Sequence, residues 1–342
     1  MNRFSFLSQT IDRDRMPVAL LSGFLGSGKT TLINALLRDP RMAGTAVAVN
    51  EFGEIPLDRD LIDHGADKTV VMANGCLCCN LAGDMEDAVM RLFSRRESGQ
   101  VPAFQRLIIE PSGLSDPAPI AQAILRNPVM SSVLRLEAIV TTVDAMFIET
   151  QLSRHPETRK QIALADCLVL TKTDLPGASD SERLRAQLRN HNQVAPLIAA
   201  VHGAVDTALL FPPRFFSQSD ESNYRLTMFA ESADPGHLVR HASASLTADQ
   251  PLDWRAFDNW LRRIRIAHAD QLLRVKGMLN IADVDGPVVV QGVHHVLNAP
   301  IELDAWPAGE RRSRLVLIAD PATVATARES WADALPSILA TR

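Results

Sequence analysis

Gly23-Phe24-Leu25-Gly26-Ser27-Gly28-Lys29-Thr30-Thr31 is the stretch that decides the fold of this 342-residue chain. It follows the apolar run Val18-Ala19-Leu20-Leu21, which reads as a buried strand. It precedes Leu32-Ile33-Asn34-Ala35-Leu36-Leu37-Arg38, whose apolar residues recur at helical spacing. Strand, then G-x-x-x-x-G-K-T, then helix is the context a phosphate-binding P-loop requires. Glycines leave room for backbone N–H groups to close on phosphate oxygens. The helix N-terminus adds unpaired N–H groups and the positive end of its dipole. Gly23, Gly26, Ser27, Gly28, Lys29, Thr30 and Thr31 are therefore expected to contact a nucleotide. Lys29 should reach the β- and γ-phosphates, and the Thr30 hydroxyl should meet Mg²⁺. The glycine order, G-x-x-G-x-G, does not meet the G-x-G-x-x-G fingerprint of dinucleotide sites.

Working outward, apolar runs at residues 45–49, 69–73, 107–109, 138–143, 167–170 and 196–201 alternate with helical patterns. Near-continuous apolar strands of this kind predict a parallel sheet with helices on both faces. Each run leads into polar residues, and strand ends are where open α/β sheets bind ligands. Composition shifts near Phe211-Pro212-Pro213-Arg214. The expected organisation is a disordered lead over 1–16, a P-loop NTPase domain over 17–211, a linker over 212–222 and a smaller C-terminal α+β domain over 223–342. In that last part residues 224–230 can form a strand. Residues 253–268 predict an amphipathic helix with Trp254, Phe257, Leu261 and Ile264 on one face. Strands are expected over 271–281, 288–297 and 314–318, and a helix over 322–339.

A net charge of −5 and a pI near 6.0 argue against a general nucleic-acid surface. No apolar run reaches the roughly 18 residues of a membrane span. The first 16 residues, mixed and polar with Asp12 and Asp14, resemble neither a signal nor a transit peptide. A cytoplasmic protein is expected. Three of the four cysteines crowd together as Cys76-Leu77-Cys78-Cys79, too close to staple a fold, so metal or redox chemistry is favoured over disulfides. Cys167, in an apolar strand, reads as a buried core thiol.

Three further motifs carry chemistry. Thr171-Lys172-Thr173-Asp174 resembles the N-K-x-D guanine reader of GTPases. Asp174 would accept from guanine N1–H and the 2-amino group, while Lys172 would lie under the base and brace the P-loop. Thr171 lacks the amide that Asn offers there. Glu110-Pro111-Ser112-Gly113 ends a strand as the D-x-x-G of GTPases does. Gly113 N–H would meet the γ-phosphate, and Glu110 would help hold hydrated Mg²⁺. Leu114 stands where Ras-like proteins carry the water-orienting Gln, so slow hydrolysis is expected. Lys29, Thr30, Glu110 and Gly113 are the catalytic candidates. Cys76, Cys78 and Cys79 offer up to three thiolates to Zn²⁺, with a carboxylate, His or water as the remaining ligand. His294-His295, on a strand, would face opposite ways. Arg274 and Lys276 would share one strand face.

Together, G-F-L-G-S-G-K-T-T, N-E-F-G-E, N-G-C-L-C-C, E-P-S-G-L-S-D-P and T-K-T-D resemble the CobW-type P-loop GTPases, within them the YjiA-like subgroup. Leu272-Leu273-Arg274-Val275-Lys276-Gly277-Met278 and Gln291-Gly292-Val293 are similar to that family's C-terminal domain. The resemblance implies a GTPase that handles transition metals, zinc or cobalt, as chaperone or insertase for a metal-requiring client protein. It carries metal binding onto Cys76, Cys78 and Cys79 and makes Glu54 the best added ligand. Two departures stand out: there is no His-rich metal tract, and Asn80-Leu81-Ala82 replaces a Thr-Val-Arg-like run. The rival readings are a P-loop phosphotransferase and a regulator that binds nucleotide or metal only as a signal.

Overall fold

The computed structural model describes residues 15–51, 70–75, 83–175, 181–211, 241–303, 306 and 311–340. The chain divides into two compact units. One holds the described residues of Asp14–Ala186 and Ala195–Phe211; the other holds Gln187–Val194 and the described residues from 241 onward.

Among the described residues, the first unit is built on seven parallel strands. These are β1 (Met16–Gly23), β2 (Thr45–Glu51), β3 (Val70–Gly75), β4 (Arg106–Glu110), β5 (Leu134–Asp144), β6 (Cys167–Thr171) and β7 (Leu197–Ala200). Their order is β3-β2-β4-β1-β5-β6-β7. All eight residues of β1 are buried, which is why it reads as an unbroken apolar run rather than an alternation. Met16, placed in the lead by sequence, already belongs to β1, and Arg15 Nη1 donates to Ser131 O.

Ala19 and Leu21 pack with Leu32, Ile33 and Leu36 of the helix Lys29–Arg38. Alternation along the strand turns the equally buried Val18 and Leu20 to the opposite face. The helix Pro156–Leu164 packs on β1 and β5, and Ala118–Arg126 packs on β5. Each fully buried Leu or Ile contributes about 1.5–3 kcal/mol of transfer free energy. Cys167 is a free, buried thiol in this core. The chain winds to opposite sides of β1, because β4 pairs one of its edges and β5 the other. That reversal opens a crevice at the carboxyl end of β1.

The second unit carries an antiparallel sheet of β8 (Ala242–Ala248), β9 (Arg274–Leu279), β10 (Val288–Val293), β11 (Val296–Leu297), β12 (Ile301–Glu302) and β13 (Ser313–Ala319). The helices Trp254–Ala267 and Pro321–Ile338 bury their apolar faces against it. Phe257, Leu261 and Ile264 lie inward as the periodicity predicts, with Trp254 partly buried beside them. Trp260 joins them, 1% exposed, its Nε1 donating to Ser330 Oγ.

One expectation is overturned here. Residues 288–297 are not a single strand: His294 and His295 form the two-residue turn of the β10–β11 hairpin, with Val293 paired to Val296. His294 has φ 52°, a value two-residue hairpin turns favour. Arg274 and Lys276 do share a face: Val275 between them lies in the helix-covered core, and Arg274 is itself buried. The expected strand over 224–230, most of the lead and the linker lie outside the described residues. Among the described residues no helix is long and apolar enough to cross a membrane.

Candidate nucleotide site

The carboxyl edge of the parallel sheet gathers the sequence motifs. Register pairs Gly23 with Thr142, Val49 with Glu110, Asp144 with Thr171, and Thr171 with Ala200. Every motif therefore leaves the carboxyl end of its strand, with Thr171 and Asp144 a few residues further out than Glu110.

The P-loop closes as a turn, with Ser27 N donating to Phe24 O at 3.1 Å. Gly23 has φ 142°, and a Cβ there would lie 2.2 Å from Thr142 Oγ1 and 2.6 Å from Thr142 O. Gly28, with φ 94°, is the N-cap of the helix Lys29–Arg38 and gives it no side-chain hydrogen bond. The first helical N–H groups thus receive no side-chain cap, the condition for anion binding. Lys29 is 8% exposed, and its Nζ donates to Gly23 O at 3.1 Å and Phe24 O at 3.3 Å. The ammonium is held by the loop's own carbonyls, at the root of the cradle. Thr30 follows in the first turn and Thr31 is exposed.

Two residues of Thr171-Lys172-Thr173-Asp174 brace this loop. Thr171 Oγ1 donates to Ser27 O at 2.8 Å, and Lys172 Nζ donates to Gly26 O at 2.8 Å. Thr171 thus supplies a donor to the P-loop even without an amide. Lys172 also pairs with Asp144 Oδ2 at 2.6 Å, where the Asp144 side chain is only 2% exposed. Asp144 Oδ1 accepts from Met146 N. Asp144 is the buried member of the pair, while the Lys172 side chain stays 35% exposed, so loss of the lysine would leave a buried carboxylate without its counter-charge. Lys172 itself has φ 58°, a conformation uncommon for a residue with a Cβ.

Asp174, two residues on, lies 3.9 Å from His202 Nε2. His202 and Gly203 occupy the centre of a tight turn, φ 50° and 78°, closed by Ala204 N donating to Val201 O. A Cβ on Gly203 would meet Thr31 O at 2.6 Å, so this turn is pressed against the P-loop helix. Glu110 is buried at the end of β4, beside β1. Gly113 sits so close to the P-loop that a Cβ would lie 2.7 Å from Leu25 N.

The structure therefore brings together Gly23, Gly26, Ser27, Gly28, Lys29, Thr30, Gly113, Thr171 and Lys172 through direct contacts or chain continuity. Cys76, Cys78, Cys79 and Glu54 lie outside the described residues. Their approaches are described: Glu51, ending β2, pairs with Gly75, ending β3. Both segments leave neighbouring parallel strands at the carboxyl edge.

The sequence did not single out Asp144, Thr142, Gln161 or His202. Asp144 and Thr142 close an apolar strand, the position already known to bear ligand-binding groups. Gln161, a polar residue on the covered side of a helix, leaves no such signal.

Known proteins share this fold. A sequence model of the CobW/HypB/UreG nucleotide-binding domain matches residues 17–199. The chain belongs to the CobW/HypB/UreG family. The cobalamin synthesis protein cobW C-terminal domain matches residues 241–335, so the CobW pairing of domains extends through the second unit. Among CobW-type relatives, zinc chaperone YjiA of Escherichia coli (strain K12) is 33% identical over 301 residues, 88% of this chain and 93% of that one. Zinc chaperone CobW of Sinorhizobium sp is 28% identical over 339 residues, 90% and 93% of the two chains. The crystal structure of Zn(II)-bound YjiA GTPase from E. coli matches with a TM-score of 0.69 at 26% identity, covering 93% of this chain and 98% of that one.

Proposed function

We propose that this chain binds GTP with Mg²⁺, hydrolyses it slowly to GDP and phosphate, and handles zinc or cobalt as a chaperone or insertase for a metal-requiring client protein in the cytoplasm. The observation that carries the nucleotide half is the brace. Thr171 and Lys172 hydrogen-bond two carbonyls of the P-loop, so the loop bearing Asp174 is registered to the phosphate cradle. A carboxylate there matches the paired donors of guanine and has no such pair to accept from on adenine.

The Thr30 hydroxyl and the buried Glu110 carboxylate are hard oxygen donors beside β1, a set suited to Mg²⁺. Bound there, the ion would neutralise charge on the β- and γ-phosphates. Lys29 would turn from its carbonyls to the phosphates, and Gly113 N–H would meet the γ-phosphate. Leu114, 47% exposed, supplies no group to orient water, which supports slow turnover.

The metal half rests on the chemistry of three clustered cysteines and on relatives named zinc chaperones. The Glu51–Gly75 pairing supports it, because it starts the segments bearing Glu54 and Cys76 from adjacent strand ends. Exchange of GTP for GDP would then reposition Glu54 and change metal affinity, an order–disorder type of switch. We assign the GTPase domain to 17–211, the linker to 212–222 and the client-recognising domain to 223–342.

Calorimetry of zinc binding to the apo, GDP and GTP-analogue forms tests the whole reading. Zinc should bind with different affinity in the three forms, and nucleotide affinity should change by the same factor when zinc is present. Binding should strengthen as pH rises, until the thiols are ionised. Replacing Cys76, Cys78 and Cys79 together by Ser should remove tight zinc binding and leave GTP binding intact. A triple-Ser protein that still binds one zinc tightly would exclude the site, and equal affinity in all nucleotide states would exclude the coupling.

A further inference from the structure

Gln161 lies on the helix Pro156–Leu164 with 1% of its surface exposed, and it faces the turn that carries Gly113. Its Nε2 donates to Gly113 O and to Ser115 O, each at 3.0 Å. Its own carbonyl accepts from Thr141 Oγ1 at 3.1 Å, which pins the residue to β5. The turn itself is closed by Ser115 N donating to Ser112 O. On its other side Gly113 abuts the P-loop, where a Cβ would meet Leu25 N at 2.7 Å and Leu25 Cα at 2.9 Å. The Gly113 peptide is thus held between the P-loop backbone and the Gln161 amide.

Two features separate this from ordinary packing. The amide orientation is fixed by chemistry, since the opposite orientation would set an oxygen against two carbonyls. In the observed orientation Oε1 is buried without a hydrogen bond among the described residues. A Met or Leu would fill the same space without a buried, unpaired acceptor, so the amide is costly as a space-filler alone. The same helix touches both neighbours: Lys160 pairs with Asp116 at 3.1 Å, and the His155 ring, at the N-cap, lies 4.4 Å from that of Phe24.

We propose that Gln161 is a positioning residue for the γ-phosphate: by holding the Gly113–Ser115 turn against the P-loop, it lets the protein distinguish GTP from GDP. This rests on the GTP reading above. Both nucleotides fill the P-loop, but only GTP places an oxygen where Gly113 N–H is presented. Losing the two donated bonds frees that turn, so the loss falls on GTP alone.

The test uses the full chain with Gln161→Met, apolar and of similar length, and Gln161→Leu, apolar and one atom shorter. Affinities for GDP and a non-hydrolysable GTP analogue are measured beside single-turnover hydrolysis and thermal unfolding. The GTP-analogue affinity should fall about tenfold, the size of one or two lost hydrogen bonds, with GDP affinity within about twofold of wild type. Equal weakening of both nucleotides would show a merely structural role and overturn the proposal. In the wild type, amide exchange across residues 113–116 should be slow even without nucleotide. Rapid exchange there would overturn the proposal without any variant. A wild type that binds no guanine nucleotide overturns this and the GTP reading together. A wild type that binds it, with an unchanged GTP-to-GDP ratio in Gln161→Met, overturns this inference alone.

Discussion

Among the described residues the two units differ in where glycine takes positive φ and in how aromatic residues pack. Around the P-loop, Gly23, Gly26, Gly28 and Gly203 adopt positive φ, and Gly113 allows backbone to touch backbone. Buried polar groups stand at element ends there: Asp144 and Glu110 close strands and Lys29 opens the P-loop helix. In the second unit Phe257, Trp260 and Trp331 pack ring to ring, with Trp260 and Trp331 centroids 4.9 Å apart. Its helix ends are finished by side chains: Asp253 caps Trp254–Ala267 and Asp320 caps Pro321–Ile338. The P-loop helix begins at Gly28 without such a cap. One region is shaped around something it binds, the other around its own interior. Substitutions should therefore divide cleanly between binding and stability.

The largest effect should come from Trp260→Ala. Truncating a fully buried aromatic costs about 3–5 kcal/mol, so denaturant unfolding of the second unit should move far to lower midpoint. A shift below about 1 kcal/mol would break the contrast, by showing that the aromatic cluster is not what holds that unit together.

Lys29→Ala should do the reverse. Nucleotide affinity should drop at least about a hundredfold, near 2.7 kcal/mol, while the unfolding midpoint hardly moves. Titration with a fluorescent GTP analogue checks the first, and thermal melting without nucleotide the second. Binding within about threefold of wild type would remove Lys29 from the phosphate site.

Asp174→Asn sharpens the contrast within the binding region. Asp174 is exposed in the free protein, and a base seated on it would cover it. A carboxylate covered without a matching donor costs about 1–3 kcal/mol, so wild type should prefer GTP over ATP by about ten- to a hundredfold and the variant should lose that preference. Equal GTP and ATP affinity in the wild type would defeat the guanine assignment.

The smallest effect concerns a cap. Burial opposes the charge on Asp320, yet hydrogen bonds from Thr323 and Ala322 hold its carboxyl below the usual aspartate range. A depressed folded value means stability that is full above the unfolded value, about pH 3.9, and lost as pH falls through the folded one. Asp320→Ala should cost about 1 kcal/mol near neutral pH and progressively less in acid. Unfolding measured from pH 7 down to pH 2 would show it, and a constant difference across that range would refute the charged cap.

How much was legible follows the same division. The parallel sheet was readable because buried strands are unbroken apolar runs, and the P-loop because phosphate chemistry dictates its residue types. Thr171-Lys172-Thr173-Asp174 was readable as a motif, but not that Thr171 ties Ser27 or that Lys172 leans on Asp144. Those depend on which strands become neighbours, and β5 beside β6 is a fact of topology rather than of spacing. The hairpin at His294-His295 was missed because no glycine or asparagine marks it; histidine tolerates the positive φ there. Trp260 stands at i+3 from Phe257 and four residues before Ile264, so helical spacing alone places it on the same buried face; the stripe traced through Leu261 instead leaves it out.

The bare start of the P-loop helix has a practical consequence at the bench. Uncapped N–H groups with a lysine close by accept any small tetrahedral oxyanion, so phosphate and sulfate in a buffer compete with the nucleotide. Apparent GTP affinity should weaken as inorganic phosphate is raised at constant ionic strength. Purification in phosphate would thus deliver a protein already carrying a competitor, and affinities compared between laboratories would differ by the choice of salt.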